Sequence, residues 1–98
     1  MSYSYILLEK AQVDIEESVD WYIVRSVQAA EKFVAALDVA LLLACSNPYQ
    51  WRNKYKDFFE IPLKNYPFSL IYTIEQDTET IVVNTVFHHK RNPKSKYR

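Results

Sequence analysis

FSLIYTIEQDTETIVVNTVFHH, residues 68–89, decides the fold. Phe68 to Glu75 and Thr80 to His88 are two runs rich in β-branched and aromatic residues, separated by Gln76-Asp77-Thr78-Glu79. Runs of that kind bounded by turn formers read as strands. In the second run Ile81, Val82, Val83, Val86 and Phe87 leave neither face polar. A strand apolar on both sides belongs in the interior of a sheet.

Working outward, Phe59, Ile61 and Leu63 alternate as a further strand, which Pro62 assigns to an edge or a bulge. The stretch YQWRNKYKD (49–57) before it is polar and aromatic without periodicity, and reads as a loop. Farther upstream the period lengthens. Ala30, Phe33, Val34, Leu37, Ala40, Leu41 and Ala44 form one helical face, with Ser26 as its cap and Asn47-Pro48 as its stop. Ala11, Ile15, Val19, Tyr22 and Ile23 form the stripe of an earlier helix over about 9–24. Asp14, Glu16, Glu17 and Asp20 fall mostly outside that stripe. A link of two to four residues makes the helices an antiparallel hairpin. Residues 2–7 alternate as a first strand. The expected fold is α+β: one domain, residues 1–98, in the order β-α-α-β-β-β. The hairpin covers one face of a mostly antiparallel four-stranded sheet, and part of the other face is open for binding.

Composition excludes several classes. The chain is 49% apolar and 15% aromatic, too rich in core formers to stay unfolded. It contains no glycine, so no Gly-rich phosphate loop of the mononucleotide or dinucleotide kind exists. Cys45 is alone, which rules out an internal disulfide and a thiolate metal site and fits a reducing cytosol. The N-terminal MSYSYILLEK lacks a basic leader, and the longest apolar run, seven residues from Val39 to Cys45, is too short to span a bilayer. A cytoplasmic protein with no membrane partner is expected.

Net charge is zero but uneven. Residues 1–50 carry seven acids and three bases, and residues 51–98 carry five acids and nine bases. Lys90, Arg91, Lys94, Lys96 and Arg98 lie in the last nine positions. Composition leaves two readings of this end, a solvated terminus or an anion-binding surface. His88 and His89, adjacent on a strand, point to opposite faces and cannot chelate one metal together. An imidazole there could act as a general acid or base, or be merely structural. Arg91 is suited to bidentate phosphate binding and Tyr97 to hydrogen bonding beside it. Those are the components of a metal-free attack by a ribose 2′-hydroxyl on the neighbouring phosphorus. Trp21 and Tyr22 read as core and hairpin-packing residues. Trp51 and Tyr55, in a basic loop, either stack on bases or cover the edge of the core.

Three segments carry a resemblance: DIEESVDWY (14–22), LKNYPFSLIYTIE (63–75) and VFHHKRNP (86–93). With the element order, they resemble the RelE/ParE superfamily of type II toxin–antitoxin toxins, and the likeness covers nearly the whole chain. The resemblance implies a small bacterial growth-arresting toxin, as in plasmid stabilisation, neutralised by a cognate antitoxin and needing no cofactor or metal. RelE-like members cut mRNA in the ribosomal A site, whereas ParE-like members inhibit DNA gyrase. Arg91 falls on the RelE-type arginine after the last strand and Tyr97 on the RelE-type C-terminal tyrosine. His88 or His89 takes the acid–base role that histidine plays in some relatives. Ser69 stands where RelE-type nucleases have a second phosphate-binding arginine, and Glu60 and Pro62 stand where RelE has lysines. Those departures favour a ParE-like toxin acting on a protein target such as DNA gyrase, with mRNA cleavage on the ribosome, or a member that only binds its antitoxin, as alternatives. The surface expected to meet antitoxin or target comprises Trp51, Tyr55, Lys64, Lys90, Arg91, Lys94, Lys96 and Arg98.

Overall fold

The computed structural model describes residues 2–90, apart from the side chain of Lys54. Seven elements follow in order: β1 (Ser4–Leu7), α1 (Glu9–Arg25), α2 (Val27–Ser46), β2 (Arg52–Tyr55), β3 (Phe58–Pro62), β4 (Phe68–Glu75) and β5 (Thr80–His88). The strands form one sheet in the order β1-β5-β4-β3-β2, antiparallel except for the parallel pair β1 and β5. β5 is thus an interior strand, as its apolar faces require. The sheet has five strands, one more than the sequence predicts: Arg52–Tyr55 pairs with β3 within the stretch read as loop. Its residues carry no apolar alternation, so the ladder to Phe58–Glu60 defines the strand instead. Pro62 ends β3 where β2 no longer runs alongside, so its missing N–H breaks no bond on that side.

One residue links the helices, fewer than predicted. Ser26 is extended (φ −166°, ψ 115°). Its N–H donates to the Tyr22 carbonyl at 2.6 Å, closing α1, while its hydroxyl accepts from the Ala29 N–H at 3.1 Å, opening α2. One serine thereby satisfies orphan groups of two helix ends.

The hairpin packs on the sheet face that carries Ile61, Phe68, Leu70, Tyr72, Ile81, Val83 and Val86, all buried. Tyr22, Phe33, Tyr66 and Phe68 join helices to sheet, with ring centroids 5.2–5.5 Å apart. Tyr72, fully buried, donates its hydroxyl to the Pro48 carbonyl at 2.6 Å and ties the end of α2 to the central strand. Without glycine, Lys56, Asn65 and Glu79 occupy left-handed turn positions (φ 49°, 68° and 49°). Asparagine tolerates that region, but each of the other two costs about 1 kcal/mol there.

Candidate functional site

The site is built where α1 lies along β5. β1 ends opposite Val83, so β5 continues past it with no strand among the described residues on its outer side. A bulge falls at Asn84, since Ile71 pairs with Thr85 and Tyr72 with Val83. Bulges re-aim side chains, and Thr85 here donates its hydroxyl to Asp14 Oδ2. The same oxygen accepts from the Val86 N–H at 3.2 Å and from Lys10 Nζ at 3.3 Å, and Lys10 also donates to Thr85 at 3.1 Å. Asp14 is therefore buried, not outside the stripe as its charge led us to expect. Its carboxylate replaces the missing strand partner of β5, and charge-assisted bonds offset its desolvation. Ser18, one turn on, is buried too and donates to the Asp14 carbonyl at 2.7 Å.

Beyond this seam the helix and strand separate into an open groove of about 510 Å³, lined by Glu17, Trp21, Tyr22, Phe68, His88 and Lys90 among others. His88 packs edge-on to Phe68 at 4.9 Å, and its Nδ1 accepts from the Lys90 N–H at 3.0 Å. Burial, with Tyr66 nearby, raises the Tyr22 phenol above the ordinary tyrosine range. Trp21 is 54% exposed, against its expected role in the core. Its ring is held by Arg25, whose guanidinium lies 3.7 Å from the ring centroid while Nη1 donates to the Trp21 carbonyl at 2.8 Å.

His89 turns to the opposite sheet face, where Nε2 lies 2.8 Å from Ser69 Oγ. That face also presents Glu60 and Pro62, paired with Ile71 and Ser69. Ser69, Ile71 and Phe87 on it are buried, so the face is less open at its middle than the sequence implies. Arg52, exposed and opposite Glu60, brings a guanidinium to this face. No local pattern marks it, because its segment lacks strand periodicity.

The structure thus gathers His88, His89 and Lys90 at one end of the sheet. Exposed Lys64 lies in the β3–β4 turn at the same end. Tyr55 shares a face with Glu60 but sits on the outermost strand, stacked on Phe58 with Lys56 Nζ 5.2 Å from its ring. Trp51 is half-buried against the core, its indole N–H 3.4 Å from the Leu43 carbonyl, so it covers the core's edge. Arg91, Lys94, Lys96, Tyr97 and Arg98 lie outside the described residues. Among the described residues no group of three or more His, Cys, Asp or Glu is placed to hold a metal ion, and no helix is long and apolar enough to cross a membrane.

This architecture has been seen before. The chromosomal ParDE toxin–antitoxin system from P. aeruginosa superposes with a TM-score of 0.72 at 17% identity, over 89% of this chain and 96% of that one. The isolated E. coli RelE toxin gives 0.63 at 15% identity, over 97% and 93%. The RelBE2 toxin–antitoxin complex from Mycobacterium tuberculosis gives 0.61 at 16%, over 90% and 92%. The fold is thus shared with these ParE and RelE toxin structures. In sequence, residues 5–93 match the family described as ParE toxin of type II toxin-antitoxin system, parDE, and the chain belongs to that family. No curated protein matches it in sequence.

Proposed function

We propose that this protein arrests bacterial growth by binding a protein target such as DNA gyrase, and that a cognate antitoxin neutralises it. The observation carrying this reading is the pair Ser69–His89. At the position where an mRNA-cleaving relative needs a cation, a serine hydroxyl and an imidazole are hydrogen-bonded to each other at 2.8 Å. Phosphoryl transfer must stabilise negative charge on the phosphorane oxygens, and preorganised cations are the usual means. Among the described side chains near that pair, Glu60 adds a carboxylate and Arg52 stands opposite it on the neighbouring strand. Such a set suits protein contact better than RNA cleavage.

mRNA cleavage on the ribosome remains the second reading, because His89 does lie on this sheet face and Arg91 follows two residues later in sequence. One pair of assays separates the two. Purified protein is expected to inhibit supercoiling by gyrase and to leave mRNA intact on translating ribosomes. Cleaved mRNA that disappears with Arg91→Ala, with supercoiling untouched, reverses the assignment.

A further inference from the structure

The two edges of the sheet are finished differently. β2, at one edge, carries Arg52 and Lys54 and shifts register between Asn53 and Tyr55. Charge and irregularity both deter a further strand. β1, at the other edge, reads Ser4-Tyr5-Ile6-Leu7, with no charge, no proline and an unbroken register. Ser4 and Leu8 donate their N–H groups inward, to the Glu79 and Val83 carbonyls at 2.9 and 3.0 Å. Strand alternation therefore turns the N–H and C=O of Tyr5 and Leu7 outward. Tyr3 also turns outward, but its N–H is taken by the Cys45 carbonyl at 2.9 Å. Among the described residues no strand pairs with Tyr5 and Leu7 on that side. Tyr5 and Ile6 are 47% and 52% exposed. Beside Tyr5 a groove of about 510 Å³ lies between β1 and α2, with exposed Leu42 on its far wall.

We propose that β1 is a dimerisation edge, where a second copy of this chain adds its own β1 antiparallel across a two-fold axis at Ile6. In that register Tyr5 lies opposite Leu7 of the second copy and exchanges both backbone hydrogen bonds with it, and Leu7 does the same with Tyr5 of the second copy. Every outward group of Tyr5 and Leu7 is then used. An axis at Tyr5 would set Leu7 against Tyr3, whose N–H is engaged, and an axis at Leu7 would set Tyr5 against Glu9, already in α1. Ile6 meets Ile6 on the sheet face away from the hairpin. Tyr5 meets Leu7 on the hairpin side, where Leu7 already packs against the core. Apolar cross-strand pairs of this kind strengthen a ladder. The edge suits a second copy because an isologous contact must be self-complementary, and this one places no charge against its own image. A formal net charge of zero also leaves no long-range repulsion between copies. A four-residue strand is small against the roughly 800 Å² per partner of a stable complex, so the dimer forms at about tens of micromolar. Dimerisation at this edge does not depend on which target the protein binds.

The test is sedimentation equilibrium on the purified full chain, from about 1 to 500 μM, a range that brackets the expected association. The mass should rise with concentration from 11.6 kDa toward twice that value. Ile6→Lys sets like charges directly opposite each other, and Tyr5→Pro removes an N–H that the lone chain leaves unused. Each should weaken the dimer at least tenfold. Where either fails to fold, cysteine cross-linking replaces it. Ile6→Cys brings two thiols within disulfide reach at the axis and should give a linked dimer on mild oxidation, whereas Ser4→Cys, on the same face but displaced along the strand, should not. A wild type that stays at 11.6 kDa throughout overturns the dimer. A dimer indifferent to both Ile6→Lys and Tyr5→Pro overturns this edge, and equal cross-linking of Ser4→Cys and Ile6→Cys overturns the register. A chain that stays monomeric, with its Tyr5 and Leu7 amides protected from hydrogen exchange only when antitoxin is added, gives the edge to a strand of that protein and overturns the second copy.

Discussion

α1 meets β5 in two ways within a few turns. In the lower half, Lys10, Asp14, Thr85 and the Val86 N–H saturate one another, and the carboxylate is buried. In the upper half, Glu17, Trp21, His88 and Lys90 line open space. The same helix on the same strand gives a clamp at one end and a mouth at the other. The difference lies in side-chain size and satisfaction: small or fully bonded groups draw the two elements together, and large rings hold them apart. A saturated clamp and an open surface therefore occupy neighbouring turns of one helix, and their contributions to stability should separate on mutation.

The largest effect is expected at the clamp. Asp14→Ala leaves a hydroxyl and a backbone N–H buried without their acceptor, and should cost about 3 kcal/mol in urea unfolding. Asp14→Asn keeps an acceptor oxygen and should cost markedly less. A loss in Asp14→Ala no greater than that of an exposed helix position would end the idea of a clamp. Thr85→Val removes one donor while filling its volume, and should cost about 1.5 kcal/mol. Next comes alkaline pH. Burial raises the Tyr72 phenol above the ordinary tyrosine range. Its folded-state pKa exceeds the unfolded one, so its contribution is complete below about pH 10 and declines as pH rises beyond that. At pH 11 the decline should be about 1 kcal/mol, measured by chemical denaturation, and Tyr72→Phe should abolish that part of the slope. The smallest effect belongs to the mouth: Trp21→Ala should change stability by less than about 0.5 kcal/mol. A larger loss there would show that the groove is part of the scaffold and remove the contrast between the two halves.

Much of the fold was legible because it rests on periodicity. Both helices, their caps at Ser26 and Asn47, and the interior position of β5 follow from apolar spacing. β2 was not legible, because Arg52-Asn53-Lys54-Tyr55 is a strand only by virtue of its neighbour. Polarity alone places the Asp14 carboxylate outside and the Trp21 indole inside, and in the structure each is the reverse. A spacing signal existed for Asp14, since Ala11, Asp14 and Ser18 are small or polar residues three and four apart on the face that meets β5. Ile23, assigned to the stripe, is 48% exposed because the helix turns it away from both the sheet and α2. At the site, the opposed orientation of His88 and His89 follows from strand alternation, whereas the bond from His89 to Ser69 depends on a register that no local pattern encodes.

The parallel pair β1–β5 sets a timetable for synthesis. Ser4 is synthesised long before its partner Thr80, with both helices and three strands between them. Until then β1 has no ladder, β4 has a bare edge, and the carboxylate of Asp14 has neither Thr85 nor Val86 to hold. Product cut short before Thr80 lacks the clamp and the β5 wall of the groove together.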